Sequence, residues 1–344
     1  MPGLTHKFFM APMAEITTPA LRKTIREFSS SVVLSSEMLS AGALVAGGMH
    51  NRPLSDKHEF DDPIIFQIAG NDPQVMKDAC DSLSKQDPYS IDINMGCSAP
   101  EILKRGFCAM LLRDREKARG IVKACRSAAK TRLSVKMRCG FETYDRAYLA
   151  GFIKMLQDEG IDFITMHPRT AKMGFRRKAD WRVIREMRES VSIPIIGNGD
   201  IATHHQVVQR MNEYGCEGVM IGREAVRSPW IFALCENLLH GSDKVLEINV
   251  HRVFIKTLEW MKTYLPEHLQ KSRSHRFCHY YSRNAVFSHE LFTKIRQEAS
   301  IDSIMAIIND YFHRNPGEAA VRLQSHQPEN KGGNNGIHQD LERS

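Results

Sequence analysis

Eight short apolar segments, rich in β-branched residues, recur over the first two thirds of the chain, and each is followed by a segment with helical periodicity. Apolar strands that alternate with helices predict a parallel sheet whose outer face the helices cover. Eight such units over roughly 235 residues fit a closed (β/α)8 TIM barrel. The predicted strands are Lys7–Met10, Val32–Ser36, Ile64–Ile68, Ser90–Ile93, Leu133–Met137, Asp162–Met166, Ile193–Ile196 and Gly218–Ile221.

An open, doubly wound sheet is the alternative architecture, but no GxGxxG segment follows the first predicted strand, and this weakens it. We therefore expect an α/β fold in which the barrel occupies residues 1–240.

The alternation of strands and helices stops near residue 240. From Ile248 to Phe312 apolar residues recur at helical spacing, as in His251–Tyr264 and Ile301–His313. This predicts a small all-α helical domain over residues 245–315. Residues 316–344 are polar and rich in Gly, Asn, Gln and Glu, which predicts a disordered tail.

Composition excludes several classes of protein. No apolar run approaches the length of a membrane span, and the N-terminus lacks the apolar core of a secretory signal, so we expect a cytoplasmic protein. The eight cysteines form no CxxC pair, which argues against a metal site and favours free thiols in a reducing compartment. The net charge of +7 favours a polyanionic partner.

Functional side chains, nearly all of them polar, lie at or just after the ends of seven of the eight predicted strands. Active sites of such barrels lie at the carboxyl ends of the strands, so these residues are expected to share one rim. Each alone is explained by a turn, a strand end or a core position, but their coincidence on one rim favours an active site. The residues are Met13, Gln67, Asn94, Cys97, Lys136, Arg138, His167, Arg169, Asn198, Asp200 and Arg223.

The rim suits flavin mononucleotide, FMN. Glycines after the seventh and eighth strands, with Arg223, stand where barrels bind phosphate. Gln67 and Lys136 offer an amide and an ammonium to the edge of a flat ring, and the turn at Met13 offers an apolar surface. Alternatively, Lys136 is the Schiff-base lysine of an aldolase, with its pKa lowered by Arg138, although this leaves Asn94 and Cys97 unexplained.

Ten short motifs resemble those of the dihydrouridine synthases, flavoenzymes that reduce a uridine in tRNA. The resemblance extends from about Phe8 to Phe312 and is specific, because few other flavin barrels share even half of the motifs. They are APM at 11–13, SEM at 36–38, QIAG at 67–70, DINMGC at 92–97, VKMRCG at 135–140, HPRT at 167–170, ADW at 179–181, PIIGNGDI at 194–201, GVMIGR at 218–223 and PWIF at 229–232.

The resemblance implies a role for each rim residue. Asn94 would touch the target uracil, Arg138 and Arg169 would hold the uracil or nearby phosphates, and Cys97 would be the general acid. NADPH would reduce the flavin, hydride would pass to C6 of a flipped uracil, and Cys97 would protonate C5. A thiol with the usual pKa of about 8.5 is mostly protonated at neutral pH, which suits this role. The implied FMN contacts are Pro12, Met13, Ala14, Gln67, Lys136, His167, Asn198, Gly199, Asp200, Gly222 and Arg223.

Four positions depart from the family pattern. Ser98 replaces a proline and Glu101 a lysine near Cys97, while Glu15 and Glu224 replace glycines. The departures leave the implied flavin site intact but leave the choice of RNA open.

A basic and aromatic segment, Lys271–Arg283, predicts RNA contact in the helical region. It has no acidic residue, and cations interleaved with aromatic rings suit phosphate binding and base stacking. Its predicted RNA-binding residues are Lys271, Arg273, Arg276 and Arg283. The alternative is a basic helix whose rings pack into the bundle. Lys172, Arg176, Arg177 and Lys178 form a second candidate patch.

The sequence thus predicts an enzyme that reduces uridine in tRNA, with FMN and NADPH, as a monomer. Three alternatives stay open: the same chemistry on rRNA, a flavin barrel that reduces a small molecule, and a non-catalytic RNA-binding protein.

Overall fold

The computed structural model of the protein describes residues 4–47 and 52–325, and its centre is a closed parallel barrel. Neighbouring strands pair in the order β1-β8-β7-β6-β5-β4-β3-β2. Backbone hydrogen bonds between Met10 and Val33, 2.9 Å, and between Val33 and Phe8, 3.0 Å, close the ring between β1 and β2. The strands are β1 (Phe8–Met10), β2 (Leu34–Ser40), β3 (Ile64–Ala69), β4 (Ser90–Met95), β5 (Arg132–Arg138), β6 (Phe163–His167), β7 (Ile195–Asn198) and β8 (Gly218–Ile221).

Helices separate the strands, and the predicted (β/α)8 TIM barrel is confirmed. The helices up to β8 are α1 (Pro19–Arg26), α2 (Ala41–Val45), α3 (Arg52–Ser55), α4 (Pro73–Ser84), α5 (Pro100–Lys104), α6 (Arg115–Ala128), α7 (Arg146–Asp158), α8 (Arg182–Arg188) and α9 (His204–Tyr214). After β8 come α10 (Arg223–Arg227), α11 (Ile231–Leu239), α12 (Val250–Tyr264), α13 (Glu267–Tyr281), α14 (Ser288–Ile295) and α15 (Ile301–Arg314). Short 3₁₀ helices cover Glu59–Asp61, Cys108–Arg113, Ser282–Asn284 and Pro316–Glu318. Within the described residues, no helix is both long enough and apolar enough to cross a bilayer.

An apolar layer fills the amino-terminal end of the barrel. Phe9 and Phe163 lie with ring centroids 6.2 Å apart, and Tyr89, which precedes β4, lies against both. The layer also contains Ala11, Val33, Ile65, Ile196 and Met220. Because apolar side chains occupy this end, the polar residues of the strands are left to the carboxyl end.

The compact units of the chain differ from the domains predicted by sequence. One unit contains residues up to 14, 31–201 and 209–222, and the other contains 15–30, 202–208 and the described residues from 223 onward. Within the second unit, the Thr24 and Thr257 hydroxyls lie 2.8 Å apart and Lys23 donates to the Tyr264 hydroxyl at 2.7 Å. These contacts group α1 with the C-terminal helices, although the sequence assigned it to the barrel.

A two-stranded sheet corrects the prediction that the C-terminal region is entirely helical. β9 (Val245–Asn249) pairs antiparallel with β10 (Ala320–Gln324), and the His204 ring bonds to the carbonyl of Ser325 at 3.0 Å. The first ten residues of the predicted disordered tail are therefore ordered, because distant strands satisfy each other's backbone groups. The rest of that predicted tail lies outside the described residues.

We expect Gly197→Ala to destabilise the barrel. An added Cβ on this β7 residue would lie 2.2 Å from Cζ3 of Trp181, which is buried and cannot move aside cheaply. Such overpacking costs about 1–3 kcal/mol in the free energy of unfolding, measured by urea denaturation. Gly42→Ala is the matched control, because a Cβ there meets nothing within 4 Å and alanine favours the helix. Equal stability of the two variants would contradict the expectation.

Candidate active site

Polar side chains from five neighbouring strands face the barrel interior near the carboxyl ends of those strands. Residues two apart on a strand share a face, and residues aligned across parallel strands face the same way. The aligned pairs are Gln67–Asp92, Asn94–Lys136 and Arg138–His167, and Asn198 lies at the end of β7.

A chain of buried hydrogen bonds joins β3, β4 and β5. Asn94 Nδ2 donates to Gln67 Oε1 at 2.8 Å, and Gln67 Nε2 donates to Asp92 Oδ2 at 2.8 Å. Ser134 Oγ donates to the other carboxylate oxygen of Asp92 at 2.7 Å. The amide of Gln67 is thus held at both ends, and it lies directly beside Asn94.

The side chain of Asn94 also shapes the turn that carries Cys97. Its Oδ1 accepts hydrogen bonds from the backbone N–H groups of Gly96 and Cys97, both at 2.9 Å. An asparagine that bonds to its own following backbone stabilises a tight turn. The Cys97 thiol is half-buried at this turn. The predicted amide and thiol therefore stand together at the end of β4.

The acidity of Cys97 differs from the sequence expectation of a mostly protonated thiol. A hydrogen bond from the Cys108 thiol, assisted by one from the Ala99 backbone and by the charges of Arg138 and Lys136, lowers the pKa of Cys97 to about 6. The same contact and burial raise the pKa of Cys108 far above its usual value. Cys97 is thus a thiolate in most molecules at neutral pH.

Lys136, which is half-buried, and Asp92, which is buried, are interacting titratable groups of the barrel. Burial lowers the pKa of Lys136 to about 8, Asp92 opposes this shift, and Arg138 adds only a smaller lowering. Burial also raises the pKa of Asp92 to about 6, against its bonds from Gln67 and Ser134. Lys136 Nζ donates to Asn198 Oδ1 at 3.0 Å, and Asn198 Nδ2 donates to the carbonyl of Met220 at 2.8 Å. Lys136 thus remains mostly protonated at neutral pH.

Arg138 contacts the loops around the site with its guanidinium. Nε donates to the Gly96 carbonyl at 2.9 Å, and Nη1 donates to the carbonyls of Thr170 at 2.9 Å and Gly174 at 3.1 Å. Its side chain is 5% exposed. These bonds hold the Cys97 loop in place, and the predicted contact of Arg138 with uracil or nearby phosphates stays a prediction.

Arg169 has a similar structural role in the loop after β6. Its Nη2 donates to both carboxylate oxygens of Asp200, at 2.8 and 2.7 Å, and its Nη1 lies 3.0 Å from His167 Nε2. Asp200 also accepts from the Ala179 N–H at 2.7 Å. This bidentate pairing joins a buried guanidinium to a half-buried carboxylate, and the contacts predicted for them with uracil and FMN stay predictions. Arg169 and Asp200 therefore position His167.

The predicted cofactor residues that follow β1, β7 and β8 include two glycines with close neighbours. Gly199 has φ +126°, and an added Cβ would lie 2.9 Å from Cδ2 of His167, so only glycine fits there without strain. Gly222 lies beside the Met13 sulfur, which a Cβ at that glycine would approach to 3.6 Å. Pro12 is half-buried and Ala14 is exposed. Arg223 opens α10 and remains a prediction from sequence.

Comparisons with known proteins identify the family. The dihydrouridine synthase family model matches residues 9–336. A probable tRNA-dihydrouridine synthase of Aquifex aeolicus is 34% identical over 227 residues, which cover 65% of this chain and 70% of that protein. tRNA-dihydrouridine synthase B of Vibrio vulnificus is 30% identical over 251 residues, which cover 73% and 77%. The chain belongs to the dihydrouridine synthase family.

A solved structure of a 2-naphthoyl-CoA reductase complex shows likeness in fold alone. Its TM-score is 0.52 at 10% identity, and the match covers 69% of this chain and 50% of that one. Family membership confirms the predicted resemblance, while the role of each site residue stays a prediction.

Two departures from the family pattern have visible consequences. Glu15 stands in the left-handed region with φ +62°, the conformation that favours the glycine it replaces, and its carboxylate accepts from Arg276 Nε at 3.0 Å within the second unit. Glu101 is exposed in the first turn of α5, where its negative charge is compatible with a helix amino terminus.

The predicted RNA-binding residues on and just after α13 differ in their exposure to solvent. Lys271 and Arg276 are exposed, and Arg283 is half-buried with its guanidinium 5.8 Å from the Tyr280 ring centroid. Arg273 is only 8% exposed, on the face that also buries Phe277 and Tyr281. The prediction that Arg273 contacts RNA is therefore not supported, because helical spacing turns it inward. The rings of Phe277 and Tyr281 pack into the bundle, as the alternative stated.

Sequence reasoning missed three residues of the site. Asp92 precedes Asn94 by two positions, so strand periodicity alone could have placed it on the same face. Phe175 is 61% exposed and lies 5.7 Å from the Arg138 guanidinium and 5.8 Å from that of Arg169. Cys108 gives no local signal, because only the fold brings it to Cys97.

The acidity of Cys97 predicts its reactivity toward alkylation. Because a thiolate is the nucleophile, we expect the rate of iodoacetamide modification at Cys97 to rise with pH around a midpoint near 6. Cys108→Gly removes the largest cause, so its midpoint should move upward. Mass spectrometry of the Cys97 peptide measures the rate, and Cys139, whose pKa is raised to about 12, is the internal control. A wild-type midpoint above 8 would refute this assignment.

Proposed function

We propose that the protein reduces uridine in tRNA to 5,6-dihydrouridine, with FMN as bound flavin, NADPH as reductant and Cys97 as proton donor. The observation that carries the proposal is the pairing of Asn94 and Cys97 on one turn beside Lys136 at the barrel mouth. Two relatives whose names specify tRNA support that substrate over rRNA. The cytoplasmic location and the monomeric state stay predictions.

The donor set of the barrel fits a flavin. Thr165, aligned with Lys136 inside the barrel, is fully buried, and within the described residues its Oγ1 has no hydrogen-bond partner. A polar ring edge would satisfy this hydroxyl, and the Lys136 ammonium would favour an anionic ring. Gln67 and Asn198 supply amides, and the Gly199 and Met13 regions supply close backbone approach and an apolar surface. When bound, FMN supplies the hydride that uracil C6 accepts.

The chain's own residues then orient uracil and move a proton. Asn94 has its amide fixed by Gln67 and by its own turn, so it presents a rigid contact to the base. Arg138 keeps the Gly96 backbone in position. The Cys97 thiol donates its proton to C5. With a pKa of about 6 it gives up its proton more readily than an ordinary thiol, but its protonated fraction falls as pH rises above 6, so the rate of this step falls too.

The loop after β6 is suited to the RNA around the target base. Lys172, Arg176, Arg177 and Lys178 are exposed there, and no acidic residue interrupts them. The exposed ring of Phe175 lies among them and beside the buried arginines. Stacking of a base on an aromatic ring is worth about 1–3 kcal/mol, and cations beside it bind phosphates. We propose that Phe175 stacks on a nucleotide next to the flipped uridine.

The proton-donor role predicts the effect of Cys97→Ala. We expect dihydrouridine formation to fall by about 10²–10⁴-fold, since a general acid contributes that much, while bound flavin absorbance and the melting temperature stay near wild type. Mass spectrometry of the tRNA nucleosides measures the product. Cys235→Ala, which changes a buried cysteine of the second unit, is the control. Full activity of Cys97→Ala would remove this residue from the mechanism.

The flavin assignment predicts a binding defect in Lys136→Met. Loss of the ammonium should weaken FMN binding about tenfold, as followed by quenching of flavin fluorescence on titration into flavin-free protein. Binding by the wild type should also weaken above pH 8, because Lys136 loses its charge there. Lys154→Met, on the exposed face of α7, should bind like wild type. No FMN binding by the wild type would refute the flavin itself.

The two exposed cations of α13, Lys271 and Arg276, predict a change in salt dependence. Lys271→Ala combined with Arg276→Ala should weaken tRNA binding and reduce the slope of log affinity against log salt by about 1.5–2, since two phosphate contacts are lost. The control pair is Lys294→Ala with Arg314→Ala, which removes the same charge from α14 and α15. Equal slopes for the two pairs would place the RNA-binding surface elsewhere.

A further inference from the structure

A second cysteine contacts Cys97 across the loop that follows β4. The N–H of Ala109 donates to the Cys97 carbonyl at 3.2 Å, which holds the backbones at 97 and 108 side by side. The side chains of Cys97 and Cys108 lie close enough for each to shift the pKa of the other. Adjacent backbones bring the two cysteine side chains close to each other, which a disulfide between them requires.

The backbone at Cys108 is unusual. Its φ of +53° lies in the left-handed region, which is disfavoured for any residue with a Cβ. The side chain is fully buried, with its sulfur 3.8 Å from that of Met38, which in turn accepts from Asn94 at 3.3 Å. The residue in this disfavoured conformation is thus the one whose thiol contacts Cys97. Strained residues of this kind cluster at functional sites.

The two thiols have unequal reactivity, as an oxidisable pair requires. Cys97 is half-buried and largely ionised, so an external oxidant reaches it first. Cys108 is buried and protonated, and within the described residues Cys97 is the thiol beside it. Cys80 and Cys125 form a second contacting pair, but both are fully buried, so no oxidant reaches them.

We propose that Cys97 and Cys108 form a reversible disulfide when the protein meets a hydroperoxide, and that this disulfide stops uridine reduction. The second half of the inference rests on the proposed role of Cys97 as proton donor. In the disulfide, Cys97 carries no proton and cannot protonate C5.

The chemistry balances in two steps. The Cys97 thiolate attacks the hydroperoxide, the O–O bond breaks, and Cys97 becomes a sulfenic acid while an alcohol or water leaves with a solvent proton. The Cys108 sulfur then attacks the Cys97 sulfur, the S–O bond breaks, and the departing hydroxide takes the Cys108 proton as water. The two thiols together lose two electrons, which the hydroperoxide gains. A dithiol such as dithiothreitol reverses the process.

Peptide mapping under non-reducing conditions tests the linkage without reference to activity. Reduced, full-length protein is treated with hydrogen peroxide, blocked with iodoacetamide in denaturant and digested. We expect a Cys97–Cys108 linked peptide that dithiothreitol removes, with Cys80 and Cys125 alkylated as free thiols. Recovery of Cys97 as sulfinic acid with Cys108 as a free thiol would overturn the proposal.

The variant Cys108→Gly tests the switch, because glycine fits the left-handed conformation and the variant should fold. Peroxide should reduce wild-type activity at least tenfold, and dithiothreitol should restore it. In Cys108→Gly the sulfenic acid has no partner, so it should proceed to irreversible forms and most activity should stay lost. Cys80→Ala should behave like wild type. Equal recovery of Cys108→Gly and wild type would overturn the switch.

Failures of the two proposals are distinguishable. If reduced protein forms no dihydrouridine, the proposed function fails, whereas the peptide map still decides whether the linkage forms. If linked protein retains full activity, the switch is overturned together with the proton-donor role of Cys97. If no linkage forms in an active enzyme, only the present inference is refuted.

Discussion

The hydrogen bonds of the Asn94 side chain are the constraint on which the rest of the site depends. One end of its amide accepts from the Gly96 and Cys97 backbone, and the other donates to Gln67. A single side chain therefore fixes the turn that bears the thiol and also anchors the chain of hydrogen bonds between β3 and β4. Such coupling explains why an amide, with both donor and acceptor, stands at this strand end.

Burial of charge gives the site its chemical character. Asp92 and Lys136 lie in the barrel interior, where desolvation brings both pKa values toward neutrality, to about 6 and about 8. The guanidinium groups of Arg138 and Arg169 are occupied by carbonyl and carboxylate partners, so they act as fixed positive charges that hold loops. Cys97 stands at the mouth of the barrel, at the end of β4. The pKa of its thiol is lowered to about 6.

Much of the barrel followed from periodicity, because each strand is an apolar segment and each helix buries one stripe. The same reasoning grouped Gln67, Asn94, Lys136, His167 and Asn198 on one rim. It did not show that Arg138, Arg169 and Asp200 bond to neighbouring loops, since residue type alone does not tell which groups a charged side chain faces. It did not place Arg273 on the buried face of α13, because helical phase within the bundle decides burial.

The sequence by itself determined the eight strand–helix units, the family and the pairing of an amide with a thiol after β4. Local pattern and short-range spacing encode all three. Only the tertiary structure decided that Cys108 contacts Cys97, that β9 pairs with β10 and that α1 groups with the C-terminal helices. Each of these depends on contacts between residues distant in the chain, and such contacts leave no local pattern because hydrogen-bond partners are chosen only when the chain is folded.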